Sequence, residues 1–347
     1  MSTASQSPAA RQAYYGQIAQ HNLSPLWESL SRLIPRTPEP KVVPAIWRYA
    51  QLRDLIMKSG NIVGAVEAVR RVLVLENPGM PGQATVTSSL YAGLQLILPG
   101  EIAPSHRHKQ LALRFILEGK SAYTAVDGER LPMSPGDYIL TPSWTWHDHG
   151  NPQDGEPVVW LDGLDAPLML HLDAGFLEDY PEMEQPIRYA QGYSFARYGY
   201  NMVPVRDVPK GVTSPLLKYP YDRSREALDR LYRMNDIDAW DGVKLRYVNP
   251  ATGGYPMGTI APFLQLLPKG FKGKTYRTTE STVFCVAEGR GKVHIGKESF
   301  AFNPHDVFAA PSWQSISFES PNEDSVLFSF SNRPVLDATE LWCEERK

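Results

Sequence analysis

Two stretches of this 347-residue chain repeat one another. LEGKSAYTAVDGERLPMSPGDYILTPSW, from Leu117, and AEGRGKVHIGKESFAFNPHDVFAAPSW, from Ala287, share one order of parts. Each reads Glu-Gly, a strand, a turn, Pro-x-Asp, a second strand and Pro-Ser-Trp, with a single residue of difference in spacing. Such self-similarity is the signature of one folding unit built twice. The alternation of β-branched and polar residues, broken by Pro-Gly turns, makes that unit a β-barrel. The 30 prolines and 26 glycines favour short strands joined by turns over long helices. The expected fold is therefore mostly β, with two barrel domains.

Around these units the chain divides into four parts. Residues 1–80 form an N-terminal helical segment: apolar residues recur at three and four over 46–57 and 62–74, with Pro44 and Gly60 as punctuation. Residues 81–185 form the first barrel, and residues 251–347 the second. Between them, 186–250 is a connection rich in Pro, Tyr and Arg, with one helix around 225–234. A chain of this length exceeds one typical core and suits two domains. A net charge of -3 argues against nucleic acid or an anionic membrane surface as partner. The opening MSTASQSPAARQAYYGQ lacks the apolar stretch of a secretory signal, and no run reaches the ~18 apolar residues of a membrane span. A cytoplasmic protein is expected. Two cysteines, Cys285 and Cys343, exclude a disulfide framework and a cysteine-based zinc site.

The first barrel carries the chemistry. In PSHRHKQLALRFILEGK, His106 and His108 project from one strand face, and a regular strand puts Gln110, Ala112 and Arg114 on that side too. Leu111, Leu113 and Phe115 then face the opposite way. A second pair, His147 and His149, follows in TPSWTWHDHGN. One such pair is ordinarily two unremarkable strand histidines; two pairs in one barrel unit point to a metal. Imidazoles converging on a barrel interior suit Fe, Zn, Cu or Ni, whereas hard cations call for carboxylates. In SLYAGLQLILPG, Tyr91, Gly93 and Gln95 make a varied, polar face opposite an apolar one, as in a strand lining a polar cavity. Gly93 leaves room for an aromatic ring or marks a bulge. Asp162 ends VVWLD, as a chamber residue or as a turn or cap. An arginine inside a barrel needs an anion, so Arg114 calls for a bound carboxylate or for Asp162.

These residues match the two cupin motifs. Gly100, His106, His108 and Gly119 fit the first; Gly136, Pro142, His147 and Asn151 fit the second. Two positions depart: Ala112 stands where the first motif has Glu, and Trp144 where the second has Gly. HRHKQLALRFILEG, TPSWTWHDHGN, VVWLDGLD and the ENPG segment resemble the gentisate 1,2-dioxygenase family. That family is a bicupin group of ring-cleaving enzymes with relatives acting on salicylate and 1-hydroxy-2-naphthoate. The resemblance implies two double-stranded β-helix (jelly-roll) barrels and a non-haem Fe(II) enzyme with one iron per chain, in a homo-oligomer, a tetramer in the family. Small aromatic carboxylate and O2 would be its substrates, and cleavage of gentisate between carbons 1 and 2 would give maleylpyruvate. Carried over by position, His106, His108 and His147 are the iron ligands. Arg114, His149, Gln95, Asp162 and Arg70 match residues holding the substrate's polar groups, His149 hydrogen-bonding a substrate oxygen or assisting proton movement. With no glutamate ligand, three neutral imidazoles leave the metal's charge for a chelating carboxylate and phenolate to cancel. Tyr91 and the chain length favour gentisate over salicylate or 1-hydroxy-2-naphthoate. A non-catalytic carboxylate-binding cupin and a zinc isomerase or hydrolase are the alternatives.

In the second repeat, alignment puts Tyr276 and Thr278 opposite His106 and His108, Ile316 opposite His147, and Phe284 opposite Arg114. A structural unit without a metal is expected there.

Overall fold

The computed structural model describes residues 7–209 and 211–346, in two units that divide between Glu39 and Pro40. In the first, helix Pro8–Ala19 starts on Ser7, whose hydroxyl accepts the Ala10 N–H, with Pro8 in the first turn. A second helix, Leu26–Leu33, is tied to it by the Trp27 indole N–H donating to the Tyr15 hydroxyl at 2.7 Å.

The second unit has the cupin fold: four antiparallel sheets that form two equivalent pairs. In the first pair, one sheet runs Lys218–Tyr219, Tyr138–Thr141, Ala112–Glu118, Val158–Leu164, Tyr91–Ile97 and Val72–Val74, in that spatial order. Its companion runs Leu177–Asp179, Ile102–His108, His147–Gly150, Tyr123–Val126 and Glu129–Pro132. The second pair repeats both orders. Ala45–Trp47, Val307–Ala310, Thr282–Glu288, Ser325–Ser331, Ala261–Leu267 and Val243–Arg246 form the first sheet. Glu298–Phe302, Gly291–Ile295, Ile316–Ser320, Tyr276–Thr278 and Glu344–Arg346 lie in the other.

An end strand is exchanged between the first sheets of the two pairs. Ala45–Trp47, which precedes the first cupin unit in sequence, pairs with Val307–Ala310 of the second; Lys218–Tyr219, which precedes the second, pairs with Tyr138–Thr141 of the first. Each exchanged strand leads into a helix, Tyr49–Ser59 or Tyr221–Arg233, that starts on the aspartate of the other unit's Pro-x-Asp turn. The Tyr49 N–H donates to Asp306 Oδ1 at 2.9 Å, and the Tyr221 N–H to Asp137 Oδ1 at 3.0 Å. The repeat is thus longer than its quoted motif and includes a strand and helix ahead of each unit. Sequence spacing had assigned residues 46–57 and 62–74 to helix. The structure keeps helix at Tyr49–Ser59 and Ala65–Ala68 but makes strands of Ala45–Trp47 and Val72–Val74, because sheet edges supply the hydrogen bonds that these short segments cannot make alone. The helix expected around 225–234 spans Tyr221–Arg233.

One apolar cluster joins the two halves through Leu113, Phe115 and Leu161 on one side and Val283, Phe328 and Phe330 on the other. Phe115 and Phe328 stack at its centre, 4.2 Å between centroids. The interior of the second pair of sheets is itself solid. Tyr276, Phe284, Phe308, Ile316 and Phe318 fill it, and Tyr276 pairs with Ile316 at the register position where His106 pairs with His147. Among the described residues, no helix is long and apolar enough to cross a membrane.

Candidate active site

Strand Ile102–His108 lies antiparallel to His147–Gly150, with Ala103 opposite His149 and His106 opposite His147. Two residues on the first strand, Pro104 and Ser105, therefore stand opposite Asp148 alone on the second, a bulge. Pro104 has no N–H to lose from the ladder, so it tolerates the bulge. The extra residue reverses the strand's parity and brings His106 and His108 onto the face of His147. One donor nitrogen from each of the three rings lies within 4.8 Å of the others. Ring centroids are 4.6 Å apart for His106 and His147, and 4.8 Å for His108 and His147.

Two of the rings are oriented by backbone carbonyls. His108 Nδ1 bonds Gln110 O at 2.9 Å and His147 Nδ1 bonds Thr145 O at 3.0 Å, which places the proton on Nδ1 and leaves Nε2 as a lone-pair donor. His147 Nε2 is buried without a partner, as is His106 Nδ1. Burial, reinforced by the charge of Arg70, holds the His106 pKa down to about 2; burial holds His108 at about 4 against the pull of its Gln110 bond. His147 is driven well below its ordinary value, again mainly by burial. Three neutral imidazoles with converging, unsatisfied nitrogens fit a first-row transition-metal ion, which requires deprotonated ligands.

The triad faces a cavity of about 150 Å³ between the two sheets, whose charged lining residues are Arg70, Arg114 and Asp162. Asp162 is the register partner of Arg114, and its Oδ1 lies 3.5 Å from Arg114 Nε. That contact is too long for a hydrogen bond, and Arg114 Nε has no acceptor. Thr141 Oγ1 takes Arg114 Nη1 at 2.6 Å, and the Trp160 indole N–H holds Asp162 Oδ1 at 2.9 Å. Arg70 reaches in from the opposite side, donating to Pro104 O at 2.9 Å and His147 O at 3.4 Å. Burial and the repulsion of Arg114 lower the Arg70 pKa to about 9, while burial raises Asp162 to about 6 against both arginines. Two guanidiniums against one weakened carboxylate leave the cavity cationic before any metal is counted.

The cupin domain model matches residues 93–164, the span that holds the triad, Arg114 and Asp162. The chain is 47% identical to gentisate 1,2-dioxygenase 1 of Aquipseudomonas alcaligenes over 336 residues, 97% of this chain and 96% of that one. The chain belongs to the gentisate 1,2-dioxygenase family. A second member, the 1-hydroxy-2-naphthoate 1,2-dioxygenase of Nocardioides sp. (strain KP7), is 35% identical over 97% of this chain and 88% of its own. The crystal structure of a salicylate 1,2-dioxygenase from Pseudoaminobacter salicylatoxidans with gentisate superposes with a TM-score of 0.92 at 33% identity, covering 99% of this chain and 96% of that one.

In this member of the dioxygenase family, the residues singled out in the sequence fall into two layers. Tyr91, Gln95 and Arg70 line the cavity with the triad, Arg114 and Asp162. Ala112 lines it as well, at the position where the cupin motif has Glu. Ala112 and Arg114 do share the face of His108, but on a separate strand of the facing sheet, not as a continuation of one strand. His149 and Gly93 are not on the cavity wall. His149 is fully buried one layer deeper, between Thr124 Oγ1 at 2.9 Å and the Trp160 ring at 5.3 Å. Gly93 sits in unbroken register with both neighbours, so it marks no bulge. A Cβ there would fall 2.4 Å from Val72 Cγ1 and 2.8 Å from the Tyr91 hydroxyl, so the space it leaves admits those side chains. Thr141, Trp160 and Val72 went unnoticed in the sequence. Trp160 alone left a signal, sharing the parity of Asp162 in VVWLD. Trp144 adopts φ 62, the left-handed conformation that the motif's glycine would supply. Its N–H donates to His108 O at 2.8 Å and Arg107 stacks on its ring at 4.4 Å.

Proposed function

We propose that this chain is a gentisate 1,2-dioxygenase, opening the ring of gentisate between carbons 1 and 2 with O2 to give maleylpyruvate. The observation that carries the reading is the pairing of three neutral imidazoles with two arginines around a small cavity. His106, His108 and His147 would hold one Fe(II) per chain; when bound, the iron supplies the Lewis-acid site and the redox couple through which O2 reacts with the ring. Both atoms of O2 enter the product, so no external reductant is consumed. Arg114, with its unsatisfied Nε, takes the substrate carboxylate, and Arg70 adds the second positive charge that holds the 2-hydroxyl of gentisate as a phenolate. Asp162 steadies Arg114 and is itself held by Trp160. Gln95 and Tyr91 offer hydrogen bonds to the ring substituents, with Gly93 letting the Tyr91 hydroxyl seat beside Val72. His149 serves a substrate oxygen from behind the triad. The second cupin unit, filled by its own side chains, serves packing and assembly. Exposed Leu170, Phe176 and Leu177 support a homo-oligomer.

Oxygen consumption and ring-opened product, measured together on protein reconstituted with Fe(II) and given gentisate, salicylate or 1-hydroxy-2-naphthoate, test the proposal. One O2 per gentisate is expected, with slower turnover of the other two. Product formed under strictly anaerobic conditions would make the chain an isomerase or hydrolase instead.

A further inference from the structure

We propose that Thr124 is a positioning residue that fixes the proton of His149 on Nε2, so that the ring offers an N–H donor to the bound substrate. The inference rests on the proposal that His149 serves a substrate oxygen from behind the triad and says how the fold prepares it. Thr124 is fully buried on strand Tyr123–Val126, in direct register with His149 on the neighbouring strand. Its hydroxyl lies 2.9 Å from His149 Nδ1, and that nitrogen is its one partner among the described residues. A threonine hydroxyl has one proton to donate and lone pairs to spare. If Nδ1 carried the proton, the hydroxyl would accept it and its own O–H would be buried with no acceptor, a cost that native structures rarely carry. Donation from Thr124 to Nδ1 satisfies both groups. The ring proton then sits on Nε2, the atom left buried and unpartnered. This is the reverse of His108 and His147, whose Nδ1 atoms face carbonyls and whose Nε2 atoms are lone-pair donors. Two neighbouring histidines of one strand, His147 and His149, are thereby set to opposite tautomers: an acceptor aimed at a cation and a donor available to an oxygen anion. The sorting agent is a carbonyl in one case and a hydroxyl in the other. It also keeps His149 from competing with the triad for metal.

Nitrogen-15 NMR of protein labelled at the histidine rings and loaded with diamagnetic Zn(II) reads the tautomer directly. The Nε2–H form is expected for His149 in the wild type, and a mixture or the Nδ1–H form in Thr124→Val. Fe(II)-loaded Thr124→Val should keep its iron and its KM for gentisate while kcat falls by at least about tenfold, and Thr124→Ser should recover most of the loss. In a His149→Gln background, Thr124→Val should cost nothing further. An Nδ1–H tautomer in the wild type overturns the proposal even if the valine variant fails to fold, and so does a valine variant with wild-type kcat. Wild-type turnover by His149→Gln is a different failure: it removes His149 from substrate handling, while the tautomer measurement still judges Thr124.

Discussion

Arg114 and Arg70 face Asp162 across a small cavity, so the cost of holding two like charges together falls on whatever anion enters. Repulsion from Arg114 is the second cause of the lowered Arg70 pKa, after burial itself. A substrate carboxylate offsets the charge of both guanidiniums at once. Arg114→Ala should leave iron content unchanged and weaken kcat/KM for gentisate by about 2–5 kcal/mol, the usual cost of removing one partner of a buried charge pair. Analogues lacking the carboxylate should lose nothing more in the variant; equal turnover of gentisate by both forms would make Arg114 a structural residue. His147→Ala separates the two layers of the site. It removes one of three metal ligands, so metal analysis should find the iron lost along with the activity, and a variant retaining a full complement would take His147 out of the ligand set.

The bulge at Pro104 and the exchanged strands are the elements on which the site depends. The bulge sets His106 opposite His147, and the exchanged segments fix the sheets that carry Arg114 and Asp162. Asp306 holds one such segment: besides the Tyr49 N–H it accepts the Asn303 N–H at 3.0 Å and Arg48 Nη1 at 3.1 Å, while itself 2% exposed. Asp306→Ala strands these donors and should cost about 3 kcal/mol in urea unfolding. It lies on the second cupin unit, so residual folded protein should bind iron normally. Asp137, which accepts the Tyr221 N–H and the Ser134 N–H at 3.0 Å each, is its counterpart on the first unit. Its alanine variant should be destabilised to a similar degree, and a negligible effect at either position would mean that the exchanged helices hold by apolar packing alone.

Across the whole molecule, three buried histidines and the half-buried His108, all neutral, make the apoprotein sensitive to acid. His106 and His108 fall from 6.5 to about 2 and about 4, and His147 and His149 lie well below 6.5, all chiefly through burial. Above pH 6.5 they are neutral in both states and add no pH dependence. Below it the unfolded chain takes up protons that the folded chain refuses, so stability is lost as pH falls from 6.5 toward 4, by about 1.4 kcal/mol per pH unit for each such proton. Urea midpoints of apoprotein should drop over that range, and His108→Asn should flatten the fall. Saturating metal should raise stability at pH 7 by binding only the folded state. A midpoint independent of pH from 7 to 4 would mean that these rings are solvated when the metal is gone.

The sequence by itself determined the alternation of strand and turn, the duplication, the two histidine pairs, and the arginine that demands an anion. Each of these is written in local spacing: period two on strands, Pro and Gly at turns, and identical order in the two repeats. The family resemblance chose His106, His108 and His147 from those pairs as the ligand set and carried the substrate-binding roles onto named positions. Only the tertiary structure decided the exchange of edge strands, because Ala45–Trp47 and Lys218–Tyr219 are too short to carry a strand pattern of their own and take their hydrogen bonds from distant partners. It also decided depth. Parity put Gly93 and His149 on the cavity side but could not say that Val72, Tyr91, Thr124 and Trp160 would fill the space around them. Period two tells which face a residue is on; how far it stands from the cavity depends on side chains that meet it from other strands, and their distance is set only when the sheets close on one another.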